Sequence, residues 1–303
     1  MSDAADRPAP GSIQTNSEEA VGAAASLWSD AWRQLRRRPM FLISGFLIVI
    51  LILVALVPGL FTSVDPRDCR LENSLIRPSR DHWFGYDLQG CDYYARVVYG
   101  TRVSISIGLT VTAFATSIAL IGGSLAGYYG GIADTLISRI TDIWLVIPTL
   151  LGGIVILTLF EERGVAQVSL VLIVLGWPTM LRLVRSSVLS VKSTDYVDAA
   201  RALGASDFRI IRRYILPNSL APVIVYATLL VGVIISAEAA LSFLGVGLQL
   251  PAISWGLMIS VAQNRILTSP HLLFFPGAVL SVTVFSFILM GDALRDALDP
   301  KLR

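Results

Sequence analysis

The sequence is poor in charged residues. Only 15% of its 303 residues are Asp, Glu, Lys or Arg, whereas soluble domains usually contain about 25%. The net charge of +2 is too small to indicate nucleic-acid binding, and 54% of the residues are hydrophobic. This composition therefore predicts a membrane protein that contacts the lipid bilayer rather than a soluble domain.

Motifs of enzymes and metal sites are also missing. The chain has no G-x-x-x-x-G-K-[ST] phosphate loop, no nucleophile elbow and no H-E-x-x-H sequence. Its histidines, His82 and His271, are far apart in sequence. We therefore expect no catalytic residue, no metal site and no cofactor in this chain. Any nucleotide that such a loop would hold would be bound by another polypeptide.

The first 39 residues are polar at their start and amphipathic at their end. Residues 1–25 are rich in Ala, Ser, Gly, Pro and acids, which is typical of a disordered tail. The following sequence, LWSDAWRQLRRRP, predicts a helix with one apolar face, formed by Leu27, Trp28, Ala31, Trp32 and Leu35. This helix would lie in the membrane interface on the cytoplasmic side or bind a partner along the membrane.

Six apolar segments have about the length that crosses a bilayer. They are 41–61, 104–126, 143–160, 166–184, 219–242 and 272–291. With a cytoplasmic N-terminus, about two thirds of the 24 Lys and Arg residues lie in cytoplasmic segments. The sequence thus predicts an all-α polytopic membrane protein with six transmembrane helices and both termini in the cytoplasm (N-in/C-in). The membrane domain would be 40–303, with an outer loop at 62–103 and a cytoplasmic loop at about 190–217.

The cytoplasmic loop contains the sequence DAARALGASDFRIIRRYILP at 198–217. Its composition predicts a helix over 194–203, which Gly204 would end in the left-handed conformation. A second helix would start at Ser206 or Asp207 and end at Pro217. Its buried apolar face would consist of Phe208, Ile211 and Ile215. Its basic side would consist of Arg209, Arg212 and Arg213. The loop would thus be a helix-turn-helix at the membrane surface.

This loop resembles the cytoplasmic coupling loop of ABC importer permeases. The resemblance rests on Asp198-Ala199-Ala200, on Gly204, and on the run from Tyr214 to Pro217; Asp198 and Tyr214 replace the usual Glu and Ile. Three further segments resemble the C-type permease of dipeptide and oligopeptide importers. They are DHWFGYDLQGCDYYARVVYGTRVSISIG (81–108), LSFLGVGLQLPAISWG (241–256) and GDALRDALDPKLR (291–303).

The resemblance implies the type I ABC importer permease fold. The chain would be the pore-forming subunit of a peptide importer in the bacterial inner membrane. Its partners would be a B-type permease, two ATPase subunits or domains, and an extracytoplasmic solute-binding protein. ATP-driven closure of the ATPases would switch the spans between inward-open and outward-open states. Coupling would depend on Asp198, Ala199, Ala200, Leu203, Gly204, Phe208, Arg209, Tyr214, Leu216 and Pro217.

Two alternatives for the cargo and the mechanism stay open. The same subfamily includes permeases for nickel and other small solutes. An ion-coupled secondary transporter would also have six or more spans, but it would be expected to show several ionisable groups at mid-membrane depth. Glu238 is the one clear acid within a predicted span. It would either contact the translocation path or act as a structural hydrogen-bond partner.

Both cysteines, Cys69 and Cys91, lie in the predicted outer loop. A cysteine pair in an oxidising compartment predicts a disulfide. Cys91 also stands where the resembling permeases commonly have Arg. The alternative is a pair of free thiols that share a loop.

Overall fold

The computed structural model describes residues 32–298, which are mostly helical. The predicted tail and Leu27, Trp28 and Ala31 lie outside the described residues. The helices in chain order are α1 (Pro39–Leu56), α2 (Tyr93–Tyr129), α3 (Gly131–Val146), α4 (Thr149–Leu157), α5 (Val165–Lys192), α6 (Asp195–Ala202), α7 (Asp207–Ile210), α8 (Leu216–Phe243), α9 (Trp255–Ala262) and α10 (His271–Leu298). A π-helical turn, Ile211–Ile215, joins α7 to α8, and short 3₁₀ turns occur at Pro58–Leu60, Leu71–Asn73 and Gln263–Arg265.

Within residues 32–298, five helical segments are long and apolar enough to cross a membrane unbroken. These are α1, α2, α5, α10 and the continuous segment Asp207–Phe243. They contain the predicted spans at 104–126, 166–184, 219–242 and 272–291, and most of the first. The fold is therefore a polytopic helical bundle, as the sequence predicts.

The third predicted span, 143–160, is wrong as a single helix. Helices α3 and α4 meet at an angle of 84° and pass as a span only when they are taken together. Ile147 precedes Pro148 and has extended backbone angles, φ −75° and ψ 115°. A proline disfavours the helical conformation of the residue before it, so the helix breaks here.

The first predicted span, 41–61, also ends too late. Helix α1 stops at Leu56, and Val57 leaves the helix at φ −130° and ψ 66°. Pro58 follows and restricts Val57 in the same way. Before α1, Leu35 is buried against Ala293 of α10, and Arg38 forms an ion pair with Asp296 at 2.5 Å. Leu35 therefore packs on this chain's own last helix.

The centre of the bundle is formed by α2, α5 and α8, whose apolar side chains make one large buried cluster. Helices α2 and α5 approach closely because α2 has glycines at the contact. A Cβ atom on Gly123 would lie 2.8 Å from Val184 Cβ, and one on Gly127 would lie 2.9 Å from Val188 Cγ1. Neither position has room for a side chain, which is typical of helix packing in membranes.

The outer end of the bundle is closed by the loop before α2 and by the short helix α9. Trp255 of α9 is fully buried and donates its indole N–H to the Val97 carbonyl oxygen at 3.1 Å. Cys69 and Cys91 are joined by a disulfide across 22 residues of the outer loop. This end of the molecule is therefore held by covalent and packed contacts, opposite to the loop at 190–217.

Candidate functional site

The turn at Gly204 connects two helices at the predicted cytoplasmic end of the bundle. Gly204 has φ +77°, the left-handed conformation that the sequence predicts. Its N–H donates to the Arg201 carbonyl at 3.0 Å, and the Ala205 N–H donates to the Ala200 carbonyl at 3.1 Å. These two bonds form a Schellman motif, which satisfies the last carbonyls of α6 and reverses the chain. We call residues 195–217 the coupling segment.

Pro217 does not end the second helix of the coupling segment, contrary to the sequence prediction. The chain continues from α7 through the π-helical turn into α8, and Pro217 lies in the first turn of α8. A proline lacks an N–H, and its ring clashes with the carbonyl one turn earlier. The wider π turn just before Pro217 accommodates that ring, so the helix continues.

The π turn also changes which side chains are buried. Ile210 and Ile215 are both fully buried, and they lie five residues apart across the π turn, whose backbone hydrogen bonds join residues i and i+5. Phe208, predicted to lie on the buried face with Ile211 and Ile215, is instead 71% exposed, and Ile211 is half-buried. The prediction assumed an ordinary α-helical period, and the inserted turn shifts Ile210 into that place.

The coupling segment presents an apolar pair on a basic surface. Leu203, which precedes Gly204, is 89% exposed, and Phe208 projects from the next helix. A groove of about 460 Å³ lies beside Phe208 and is lined by Phe208, Arg209, Arg212, Arg213 and Pro217. Exposed apolar side chains rimmed by charged ones are typical of a protein-binding surface. This surface can therefore receive a partner that supplies an apolar pocket and acidic groups.

Buried contacts fix the coupling segment to the bundle. Val197 and Ala200 of α6 are buried. The Tyr128 hydroxyl at the end of α2 donates to Asp207 Oδ1 at 2.6 Å, and Lys192 Nζ at the end of α5 donates to the Tyr128 carbonyl at 2.5 Å. The segment is thus bonded directly to α2, and through Tyr128 to α5.

The predicted coupling residues lie in one segment but differ in exposure. Most are exposed, namely Asp198, Ala199, Leu203, Gly204, Phe208, Arg209 and Pro217. Ala200 is buried, and Tyr214 and Leu216 are half-buried, so these three side chains lie on the side of the segment that packs on the protein. Sequence reasoning missed Tyr128, Lys192 and Ile210. No local motif marks Tyr128, because its partner Asp207 is 79 residues away.

Glu238 lies in α8 near the opposite end of the bundle and has no exposed surface. Its Oε1 accepts hydrogen bonds from Ser242 Oγ at 2.8 Å and from Ser254 Oγ at 3.0 Å. Ser242 Oγ also accepts the Leu248 N–H, and Ser254 Oγ caps α9 by accepting the Leu257 N–H. Glu238 thus holds the turn between α8 and α9, which favours the structural alternative over contact with the translocation path.

Comparison with known proteins identifies two family matches in the chain. Residues 119–303 match the binding-protein-dependent transport system inner membrane component, and residues 26–78 match the N-terminal TM domain of oligopeptide transport permease C. The two matches together cover the first span and everything from the end of α2 onward.

Curated relatives match over nearly their whole length. The oligopeptide transport system permease protein OppC of Bacillus subtilis is 38% identical over 92% of this chain and 91% of the relative. The dipeptide transport system permease protein DppC of Alkalihalophilus pseudofirmus is 40% identical over 92% of each chain. The glutathione transport system permease protein GsiD of Pectobacterium atrosepticum is 35% identical over 91% of this chain and 92% of the relative.

A solved structure shares the fold at lower identity. An inward-facing conformation of the MetNI methionine ABC transporter has a chain that superposes with a TM-score of 0.56 at 21% identity. The match covers 67% of this chain and 96% of the other. About two thirds of this chain therefore share the fold of a chain of that transporter.

Proposed function

The chain belongs to the family of binding-protein-dependent transport system inner membrane components, and we propose that it forms half of the pore of an ATP-driven importer of short peptides. As a member of this family, it is a multi-pass permease subunit of a bacterial inner-membrane transporter. The proposal adds the cargo, the source of energy and the partners.

The coupling segment is the observation that carries the proposal. Its left-handed Gly204 turn holds the exposed Leu203 and Phe208 outside the bundle, at the end predicted to face the cytoplasm. The sequence itself has no phosphate-binding loop. A separate ATPase that receives this apolar pair in a cleft would supply the energy, and its closure would be transmitted to α2 and α8.

The proposed assembly has further subunits. A related B-type permease would complete the pore, two ATPase subunits or domains would bind ATP and Mg²⁺, and an extracytoplasmic binding protein would deliver the solute. The family description names a binding-protein-dependent system, which supports this composition. The exposed apolar side chains of α3, including Ile132, Leu136 and Val146, offer surface for lipid and for the sister permease.

The cargo follows from the relatives' names. They are named for the transport of oligopeptides, dipeptides and glutathione. These solutes share peptide bonds and free carboxylates, so we propose short peptides as the class, with glutathione as a member to be tested beside dipeptides.

Reconstitution in proteoliposomes tests the proposal. The chain, its sister permease, the ATPases and the binding protein should accumulate a labelled dipeptide only when ATP is present. Omitting the ATPases should abolish uptake, and labelled nickel should not be accumulated. Uptake by the permeases alone under a proton or sodium gradient would instead show a secondary transporter and refute the proposal.

A further inference from the structure

A polar cavity of about 360 Å³ lies between α3 and α5, apart from the coupling segment. Its lining includes Ser138, Thr141 and Asp142 from α3, and Arg182 and Arg185 from α5. The long apolar faces of these helices give way here to hydroxyl, carboxylate and guanidinium groups. Such groups face protein or water in a membrane protein, because exposing them to lipid is costly.

The cavity lies toward the predicted cytoplasmic end of the span. Arg182 is about 26 Å along α5 from Val165, given the rise of 1.5 Å per residue. With Val165 at the outer edge of the hydrocarbon core, which is about 30 Å thick, Arg182 lies near the inner edge. Lys192, which is bonded to Tyr128 beneath the coupling segment, is about 15 Å further along α5. The cavity is therefore placed between the membrane interior and the coupling segment.

The charged residues in and beside the cavity form two groups that differ in exposure: Asp134 and Arg139 are neighbours of the lining residues and not part of the lining. Arg185 donates two hydrogen bonds to Asp134, at 2.5 and 2.6 Å. The two side chains are only 32% and 22% exposed. The two opposite charges are therefore paired with each other, and the pair joins α3 to α5. It leaves the neighbouring, more exposed charges to interact with a ligand.

The second group has more positive than negative charge. Arg182 is exposed and donates to Asp142 Oδ1 at 2.5 Å. Arg139 lies 3.9 Å from Asp142 Oδ2, beyond hydrogen-bond distance, and its side chain is 78% exposed. Two guanidinium groups thus surround one carboxylate, an arrangement that attracts a ligand carboxylate while Asp142 can accept from an ammonium group.

We propose that Arg139, Asp142 and Arg182 line the cytoplasmic end of the translocation path and bind the charged termini of a peptide as it leaves. The excess positive charge selects the terminal carboxylate, and Asp142 provides the acceptor for the amino terminus. This inference rests on the proposed function, since it assumes a peptide cargo. It assigns to this chain a solute-contacting site that lies on α3 and α5, away from Glu238.

Thiol labelling tests the site directly, because the chain's two cysteines are paired with each other. Ser138→Cys places a thiol of similar size on the cavity wall, and Ser117→Cys is the control. Ser117 is exposed on α2 among Phe114, Ile118 and Ile121, which are exposed and apolar. In the assembled transporter without ATP, a charged methanethiosulfonate should label position 138 and leave position 117 unlabelled. Trapping with ATP and vanadate should slow the labelling of position 138 at least threefold.

Protection experiments identify the ligand. Dialanine added to the open cytoplasmic side should slow labelling of Ser138→Cys severalfold, and dialanine amide, which lacks the carboxylate, should do so much less. Adding Arg182→Gln should remove the protection, and Arg182→Lys should retain it. Gel filtration of each complex checks that the variants assemble.

Each contrary result has a distinct meaning. If position 138 stays unlabelled in both states while ATP-driven peptide uptake is normal, the site is refuted and the proposed function stands. Protection by phosphatidylglycerol vesicles but not by dialanine would show a lipid headgroup site and overturn the inference. Failure of the whole complex to import any peptide would refute the proposed function itself.

Discussion

The Tyr128 hydroxyl, at the last turn of α2, donates a 2.6 Å hydrogen bond to Asp207 Oδ1 at the start of α7. Tyr128 is 5% exposed, and its ring lies 5.6 Å from Lys192 Nζ. The bond joins a membrane-spanning helix to the short helix α7, which carries the exposed Phe208. Movement of the coupling segment would therefore be passed to α2 through this contact as well as through the continuous helix into α8.

Removing this hydroxyl should weaken coupling more than folding. Tyr128→Phe deletes the bond to a carboxylate, which is worth about 1.5–3 kcal/mol, and keeps the buried ring. We expect the complex to assemble and hydrolyse ATP while peptide uptake per ATP falls severalfold. Tyr129→Phe is the matched control, because Tyr129 is adjacent and 54% exposed. Equal uptake per ATP in both variants would show that the Tyr128–Asp207 bond transmits nothing.

Gly204→Ala should disturb the coupling segment through the backbone alone. A Cβ atom at Gly204 meets nothing within 4 Å, but φ is +77°. The left-handed conformation costs an L-residue about 1–2 kcal/mol. We expect peptide uptake to decrease about tenfold, measured with ATP hydrolysis in the same proteoliposomes.

Gly245→Ala supplies the control for that substitution. Gly245 has φ +79° and equally open surroundings, but it lies after α8 near the outer end. The two variants should lose similar thermal stability, and only the one at Gly204 should lose coupling. If both reduce uptake to the same extent, the effect is general destabilisation.

Sequence reasoning recovered the features that depend on local pattern. The apolar runs gave five of the six spans, and the single glycine between two short helices gave the left-handed turn at position 204. The position of the two cysteines in one predicted outer loop indicated the pairing of Cys69 with Cys91. Each of these signals is contained within a short stretch of chain.

The features that sequence reasoning missed depend on contacts between distant residues or on strained helical turns. The break at Pro148 was visible as a proline, but an apolar run on both sides of it was interpreted as one helix. The π turn before Pro217 compensates for a residue that ordinarily ends a helix, and so Ile210 replaces Phe208 in the core. The ion pairs between α3 and α5 join residues 40 and 51 positions apart, which a single sequence does not reveal.

The role of Glu238 can be tested by a pair of substitutions. Glu238→Gln keeps the Oε1 acceptor for Ser242 and Ser254, so thermal stability in detergent and uptake should both stay near wild type. Glu238→Leu leaves two buried serine hydroxyls without that acceptor, at about 1–3 kcal/mol each. We expect a clear drop in the unfolding temperature. Normal stability of Glu238→Gln with loss of uptake would instead place this carboxylate in the translocation path.

The disulfide should stabilise the outer loop specifically. Closing 22 residues between Cys69 and Cys91 is worth about 3 kcal/mol in the chain-entropy model. The variant with both cysteines replaced by serine should show faster proteolysis between residues 62 and 92, with no change at the coupling segment. Reductant should have the same effect on wild type and none on the variant. Recovery of both cysteines as freely alkylated thiols, without reductant, would refute the bridge.

The central claim, that the coupling segment binds a separate ATPase, is tested most directly by placing a charge on its exposed apolar pair. Leu203 and Phe208 are 89% and 71% exposed, so Leu203→Asp and Phe208→Asp should leave the membrane bundle folded. We predict that the double variant still copurifies with the sister permease but loses the ATPases and all ATP-driven peptide uptake. Copurification of the ATPases in normal amounts, together with wild-type uptake, would contradict the account.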